Sequence, residues 1–275
     1  MELAHIIVLV MTGVIVGLSQ GLLGVGGAFI MVPVMVLVFN GMDVPSDAAV
    51  KLAFGTSLMV VLPTAVFSSW AHHRSRAVWW QAAILLGCTG AAGAALGATL
   101  TSQVLSGYTA RIIFGAVALL AAARLALWKP PHDGKGPDGN PLVWAAWGLP
   151  LGVFTGMLGV GGGVLMVPLM VTVLRFGMHR AVGTSTAVML FSSGAGALSY
   201  VVNGLDVSGL PDHTLGYFHL PAWLCLASTS IVMTQAGAWL AHRLRAGILK
   251  AVFAVVMVLV GLSMIGAFGQ LGWPG

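Results

Sequence analysis

The stretch GLSQGLLGVGGAFIMVPVM, residues 17–35, returns as GVFTGMLGVGGGVLMVPLM at residues 152–170. Gly17, Gly21, Gly24, Gly26, Gly27 and Pro33 recur in register as Gly152, Gly156, Gly159, Gly161, Gly162 and Pro168. Downstream of the first copy Gly55-Thr56-Ser57 is answered, downstream of the second, by Gly183-Thr184-Ser185. Two matching blocks in the same order mark an internal duplication. The sequence around them is apolar: 58% of residues are hydrophobic, 7% are charged and the mean hydropathy is +0.98. A soluble domain carries about 25% charged residues. The chain is therefore read as an all-α integral membrane protein.

Apolar runs fall at 3–40, 52–71, 78–101 and 108–128, and again at 142–176, 181–202, 218–241 and 248–268. Between the two sets lies KPPHDGKGPDGNP, residues 129–141, with the Pro, Gly and charge of an exposed linker. The chain divides into a first membrane repeat, 1–128, and a second, 142–275. The opening run of each repeat is too long for one crossing and holds GVGG in its interior. In the first copy the arm from Ala28 to Phe39 would reach only about 18 Å, short of the roughly 30 Å hydrocarbon core. Each opening run is predicted to be a glycine-rich helical hairpin that enters and leaves on one side, or two tilted helices with the same topological result, followed by three transmembrane helices.

The basic residues favour this reading. With hairpins, Arg74, Arg76, Arg124, Lys129, Lys135, Arg175, Arg180, Arg243, Arg245 and Lys250 share one face, and only Lys51 and Arg111 lie opposite; single spans divide the basic residues evenly. The positive-inside rule makes the rich face, with the linker, cytoplasmic and both termini non-cytoplasmic, in a bacterial inner membrane. Met1 to His5 lacks the basic start of a cleaved signal. Five membrane segments per repeat is an odd number, so the second repeat runs in the opposite sense. Two inverted repeats are a transporter design, with the substrate near the midplane between them.

Glycine-rich backbone at membrane depth is tolerated where it is buried or lines a cavity. The second arms begin near Ala28 and Gly163, so their N-termini point inward with unpaired N–H groups and about half a positive charge each. That arrangement suits a small anion. Gly24, Gly26, Gly27, Gly159, Gly161 and Gly162 are the candidate binding positions, helix packing being the other use of such glycines. Gly17/Gly21 and Gly93/Gly97 have packing spacing. Thr56, Ser57, Thr184 and Ser185 either cap the helices that follow or bind the anion. Gln20 and Thr155, at equivalent positions, add side-chain donors. Pro33 and Pro168 are kink positions within the short arms.

The remaining chemistry is sparse. All carboxylates fall in loops or at the terminus, so no buried cation site or acidic relay is visible. The histidines sit at segment ends and read as interfacial, and Cys88 and Cys225 as packing residues. The net charge of +5 lies in loops and reflects orientation in the bilayer, with no nucleic-acid partner. There is no catalytic constellation, no metal site, no cofactor motif and no ATP-binding motif. A membrane assembly protein whose hairpins merely pack, and an anion channel, are the competing classes.

The doubled GxxGxGGxxxxVPxM pattern, each copy followed by GTS, resembles the sulfite exporter TauE/SafE family of membrane permeases, over nearly the whole chain. The resemblance implies secondary transport, usually export, of sulfite or an organosulfonate such as sulfoacetate. Its motif falls on Gly24, Gly26, Gly27, Pro33, Gly159, Gly161, Gly162 and Pro168, and on Thr56, Ser57, Thr184 and Ser185. The first GTS block departs from the usual AVGTS, reading KLAFGTS.

Overall fold

In a computed structural model the structure describes residues 2–24, 27–127, 140–241, 243 and scattered positions between 251 and 266. Val25 and Gly26, nearly all of the linker and most of the last predicted span lie outside the described residues. The described chain is helical. The first half comprises α1 (Leu3–Leu23), α2 (Ala28–Asn40), α3 (Ser46–Arg74), α4 (Trp80–Gln103) and α5 (Gly107–Leu127); the second begins with α6 (Pro141–Leu158), α7 (Gly163–Thr172), α8 (Met178–Asn203) and α9 (Leu220–Ala241). Six of these helices are long and apolar enough to cross a membrane, whereas α2 and α7 are too short.

Each predicted hairpin is resolved into two helices joined through glycine. In the first, the chain folds back along itself. A Cβ built on Gly27, at the start of α2, would lie 2.6 Å from Cγ1 of Val16, and one on Gly41, just past its end, 3.3 Å from Nε2 of His5. The end of α2 thus returns to the level where α1 began. In the second, Trp147 near the start of α6 and Thr172 at the end of α7 line the same crevice, so α7 likewise runs back.

The two halves are built into each other. Helix α1 packs along α9, and α6 packs along α4, while α3 and α8 cross at the centre. Close approach at these seams uses the spaced glycines. Gly17 and Gly21 meet the backbone of α9 at Ser230 and Thr234, and Gly93 and Gly97 meet α6 at Leu149 and Val153. Thr234 Oγ1 then donates to Gly17 O at 3.1 Å and Thr101 Oγ1 to Met157 O at 3.1 Å, closing each seam with a hydroxyl.

Several boundaries differ from the sequence expectation, for local physical reasons. Helix α3 starts at Ser46 because Asp47 and Lys51 form an i,i+4 ion pair of 2.9 Å, and Asp47 also accepts the Gly107 N–H; the charged residues are its first turns, outside the apolar run but inside the helix. Thr56 and Thr184 therefore lie well within α3 and α8, not at the helix starts. Asn140 and Pro141, read as linker, are the cap and first residue of α6, the Asn140 side chain accepting from the Leu142 N–H at 3.0 Å. His72 is buried and bonded to Gly21 O at 3.0 Å, not interfacial. Cys88 lies on the outer face of α4, where it packs against no core.

Candidate functional site

The site is built from the two helix breaks. Helix α1 ends at Gly24 in the left-handed region, φ 65°, with its N–H on Gln20 O, and helix α6 ends at Gly159, φ 64°, with its N–H on Thr155 O. A further left-handed glycine, Gly27 or Gly162, opens each short helix, Gly161 before Gly162 being left-handed as well, and no side chain caps α2 or α7. Both N-termini are thus presented to the protein interior with free donors.

Gly24 and Gly159 are required twice over. Left-handed φ is costly for a residue with a Cβ, about 1–2 kcal/mol. In addition, a Cβ on Gly24 would lie 2.6 Å from Val182 O, and one on Gly159 2.6 Å from the Phe54 Cβ. The neighbours responsible belong in each case to the long central helix of the other half.

Here the GTS blocks enter. Ser57 Oγ donates toward Gly159 O, and Ser185 Oγ toward Gly24 O at 2.9 Å, each sharing its proton with a carbonyl of its own helix. Thr56 Oγ1 accepts the His219 N–H at 3.0 Å, and Thr184 Oγ1 the Trp79 N–H at 3.1 Å; these donors immediately precede α9 and α4. Every hydroxyl of the two blocks is used across the halves. The four side chains are fully buried. Of the two uses left open by sequence, neither helix capping at the start of α3 or α8 nor an unoccupied donor describes what they do in this conformation.

The second tier is polar as well. Gln20 Oε1 lies 2.6 Å from Thr64 Oγ1, and Thr64 also bonds its own helix at Val60 and Val61. Gln20 Nε2 has no partner; turning the amide over would exchange the two atoms and leave Oε1 unpaired instead. In the second half Thr155 Oγ1 donates to Leu151 O at 2.8 Å and Ser192 Oγ to Gly161 O at 3.2 Å. Ser193 Oγ, also fully buried, has no partner and lies 2.9 Å from a Cβ built on Gly161, as Val61 Cγ1 does at 2.7 Å. Thr64, Ser192 and Ser193 were not singled out by sequence. The available signal was hydroxyl residues at one-turn spacing inside an apolar span. Pro33 and Pro168 are buried within α2 and α7.

The arms of the second hairpin stand apart around an apolar crevice of about 390 Å³, lined by Trp147, Leu151, Phe154, Leu165 and Pro168. Its inner end shares Val117, Phe154 and Leu165 with a small, partly open space beside Thr155 and Gly162 of about 10 Å³. That is room for a single water. On the opposite side the connection 204–219 closes over α3: the Tyr217 backbone abuts Gly55 and His219 is buried against Phe39. Burial, reinforced by the charge of His213, pushes the His219 imidazole down to about 4, and its Nδ1 accepts the Ala222 N–H at 3.1 Å. Among the described residues no three His, Cys, Asp or Glu side chains converge as metal ligands would.

These features define a polytopic helical membrane protein built on a duplicated, interlocked glycine-loop unit. The chain belongs to the sulfite exporter TauE/SafE family, whose model matches residues 9–264, which places it among membrane transporters. It is 26% identical over 259 residues to a probable membrane transporter protein of Haemophilus influenzae, covering 94% of this chain and 97% of that one. A probable membrane transporter protein of Methanocaldococcus jannaschii is 26% identical, covering 94% of both. A sulfite exporter TauE/SafE family protein 3 of Arabidopsis thaliana is 28% identical over 161 residues, 58% of this chain and 30% of that one. No solved structure matches the chain.

Proposed function

We propose that the protein is a secondary transporter that carries a small sulfur-containing anion, sulfite or an organosulfonate, out of the cytoplasm across a bacterial inner membrane. The observation that carries the reading is the pair of uncapped N-termini of α2 and α7, each behind a left-handed glycine loop and each buried in the protein. Together they offer about one unit of positive charge, matched to a monoanion and hostile to a cation. Gly24, Gly27, Gly159, Gly161 and Gly162 allow close approach, and Gln20 and Thr155 add donors; Gly26 completes the motif. Thr56, Ser57, Thr184 and Ser185 hold the loops in place and become available to the anion when the halves part.

The reciprocal bonds between the halves support a reading as inverted repeats, in which one repeat rocks against the other around the loops. On that reading both termini and the connection 204–219 face away from the cytoplasm. Closure over α3 on one side and a one-water cavity on the other fit an occluded stage of such a cycle. No enzymatic step is part of the proposal.

Counterflow of labelled sulfite in proteoliposomes, competed by thiosulfate, sulfoacetate, sulfate and acetate, tests it. Saturable exchange with a clear order among competitors is expected. Current without saturation or exchange would mean a channel, and folded protein that exchanges no anion would mean an assembly protein.

A further inference from the structure

Buried polar atoms without partners are costly, about 1–3 kcal/mol each, and rare in native proteins. Among the described residues this protein has side-chain atoms of that kind on Gln20, Asn40, Ser68 and Ser193; Ser193 lies beside the second glycine loop, and Gln20 and Ser68 lie at the last turn of α1 and the face of α3 that meets it. Ser193 faces Gly161, directly before α7. Thr64, Ser68 and His72 follow one another at four-residue spacing on one face of α3; Thr64 bonds Gln20 and His72 bonds Gly21 O, both on the last turn of α1. Ser68 between them is fully buried and bonds nothing. The second loop therefore combines an uncapped helix N-terminus with an orphaned hydroxyl, the last turn of α1 brings an orphaned amide to the α3 face that carries an orphaned hydroxyl, and neither serine belongs to the duplicated motif.

Resting on the transport reading above, we propose that Ser193 and Ser68 complete two anion subsites, Ser193 with α7 and Ser68 with Gln20, placed at successive levels along α3. Val61, packed on Gly161, marks the level of the first. Ser68 stands seven residues further along the helix, about 10 Å. Neither subsite holds a carboxylate, and both can donate, Ser193 Oγ–H with the backbone N–H groups of α7 and Ser68 Oγ–H with the Gln20 amide N–H, so they select an oxyanion that accepts on several oxygens over a halide or a neutral solute. A solute moving between them exchanges one set of donors for an equivalent set without passing through water.

The test is Ser68→Ala and Ser193→Ala in the full-length protein, with Ser69→Ala, whose hydroxyl is already bonded to Val66 O, as control. Thermal unfolding without anion and the half-saturation concentration for sulfite counterflow are measured together. Removing an orphaned group leaves unfolding temperature unchanged or raised, whereas loss of a donor to a charged ligand raises half-saturation about tenfold or more. Ser69→Ala leaves half-saturation unchanged. Unaltered half-saturation in both variants overturns the subsites while leaving the transporter reading intact. A lowered unfolding temperature with only the maximal rate reduced makes the serines structural and overturns them too. Absence of sulfite exchange by the unsubstituted protein defeats the transport reading itself, and the subsites with it.

Discussion

The two glycine loops differ more in what surrounds them than in how they are held. In the first half Gln20 and Thr64 form the second tier, α2 has 13 residues, and the connection from α3 to α4 is the short turn 75–79. In the second half Thr155 and Ser192 take those places, α7 has 10 residues, and α8 reaches α9 through the long connection 204–219. Yet each loop glycine is met by the opposite half's serine, and the threonine preceding each serine by the N–H that opens the opposite half's helix. The difference teaches which contacts are fold and which are adaptation. The staples match between the halves, each half holding the other's loop, whereas the second tier and the connections differ.

The comparison breaks most sharply if the loop glycines are not equivalent. Gly24→Val and Gly159→Val each force a Cβ into the opposite central helix at left-handed φ, a cost of about 4 kcal/mol. Both are expected to lose the monodisperse folded protein in detergent, as read by size-exclusion chromatography. Survival of one would show that its half does not need the lock.

Next in size is an asymmetry with pH. His219 is buried neutral in the second half, and its counterpart at the opposite staple, Trp79, does not titrate. Because its folded pKa, about 4, lies below the ordinary histidine value of 6.5, the folded state binds fewer protons than the unfolded one. The contribution is complete above pH 6.5 and is lost as pH falls toward 4, at most about 3 kcal/mol. Unfolding temperature should fall over that interval, and His219→Asn, which keeps an acceptor for the Ala222 N–H, should flatten the fall. An unchanged profile in the variant would assign the acid sensitivity elsewhere.

Ser57→Ala and Ser185→Ala sharpen the comparison further. Each leaves a buried loop carbonyl short of its cross-half donor, for about 2 kcal/mol, and the two losses in unfolding free energy should agree within about 0.5 kcal/mol, the usual scatter of distant sites. Unequal losses would show one half dominating the lock. Smallest of all is Gly177→Ala, before α8. Nothing lies within 4 Å of the added Cβ and the backbone there is extended, so unfolding should shift by less than about 0.5 kcal/mol.

Much of this was legible in the sequence. The duplication, the hairpin breaks and the apolar runs needed only residue type and spacing, because membrane length and glycine conformation are local constraints. The apolar runs 78–101 and 181–202 differ from α4 and α8 by two or three residues at an end. Run 52–71 missed more, since the ion pair of Asp47 with Lys51 and the burial of His72 let polar residues extend α3 at both ends. The roles of Ser57 and Ser185 were not legible. Their partners lie 102 and 161 residues away, and a GTS triplet looks the same whether it caps, binds or staples. Ser68 and Ser193 escaped for a related reason: an orphaned hydroxyl is defined by what fails to surround it, which only packing reveals.

The central claim is that the glycine loops are where the anion is carried. It is tested most directly by labelled-sulfite counterflow with the unsubstituted protein and with Gly161→Val, reconstituted at equal density and checked for folding by thermal unfolding. The account predicts saturable exchange by the first and its loss in the second, whose added side chain would displace the side chains of Val61 and Ser193. Equal exchange by both, with the variant folded, would contradict it.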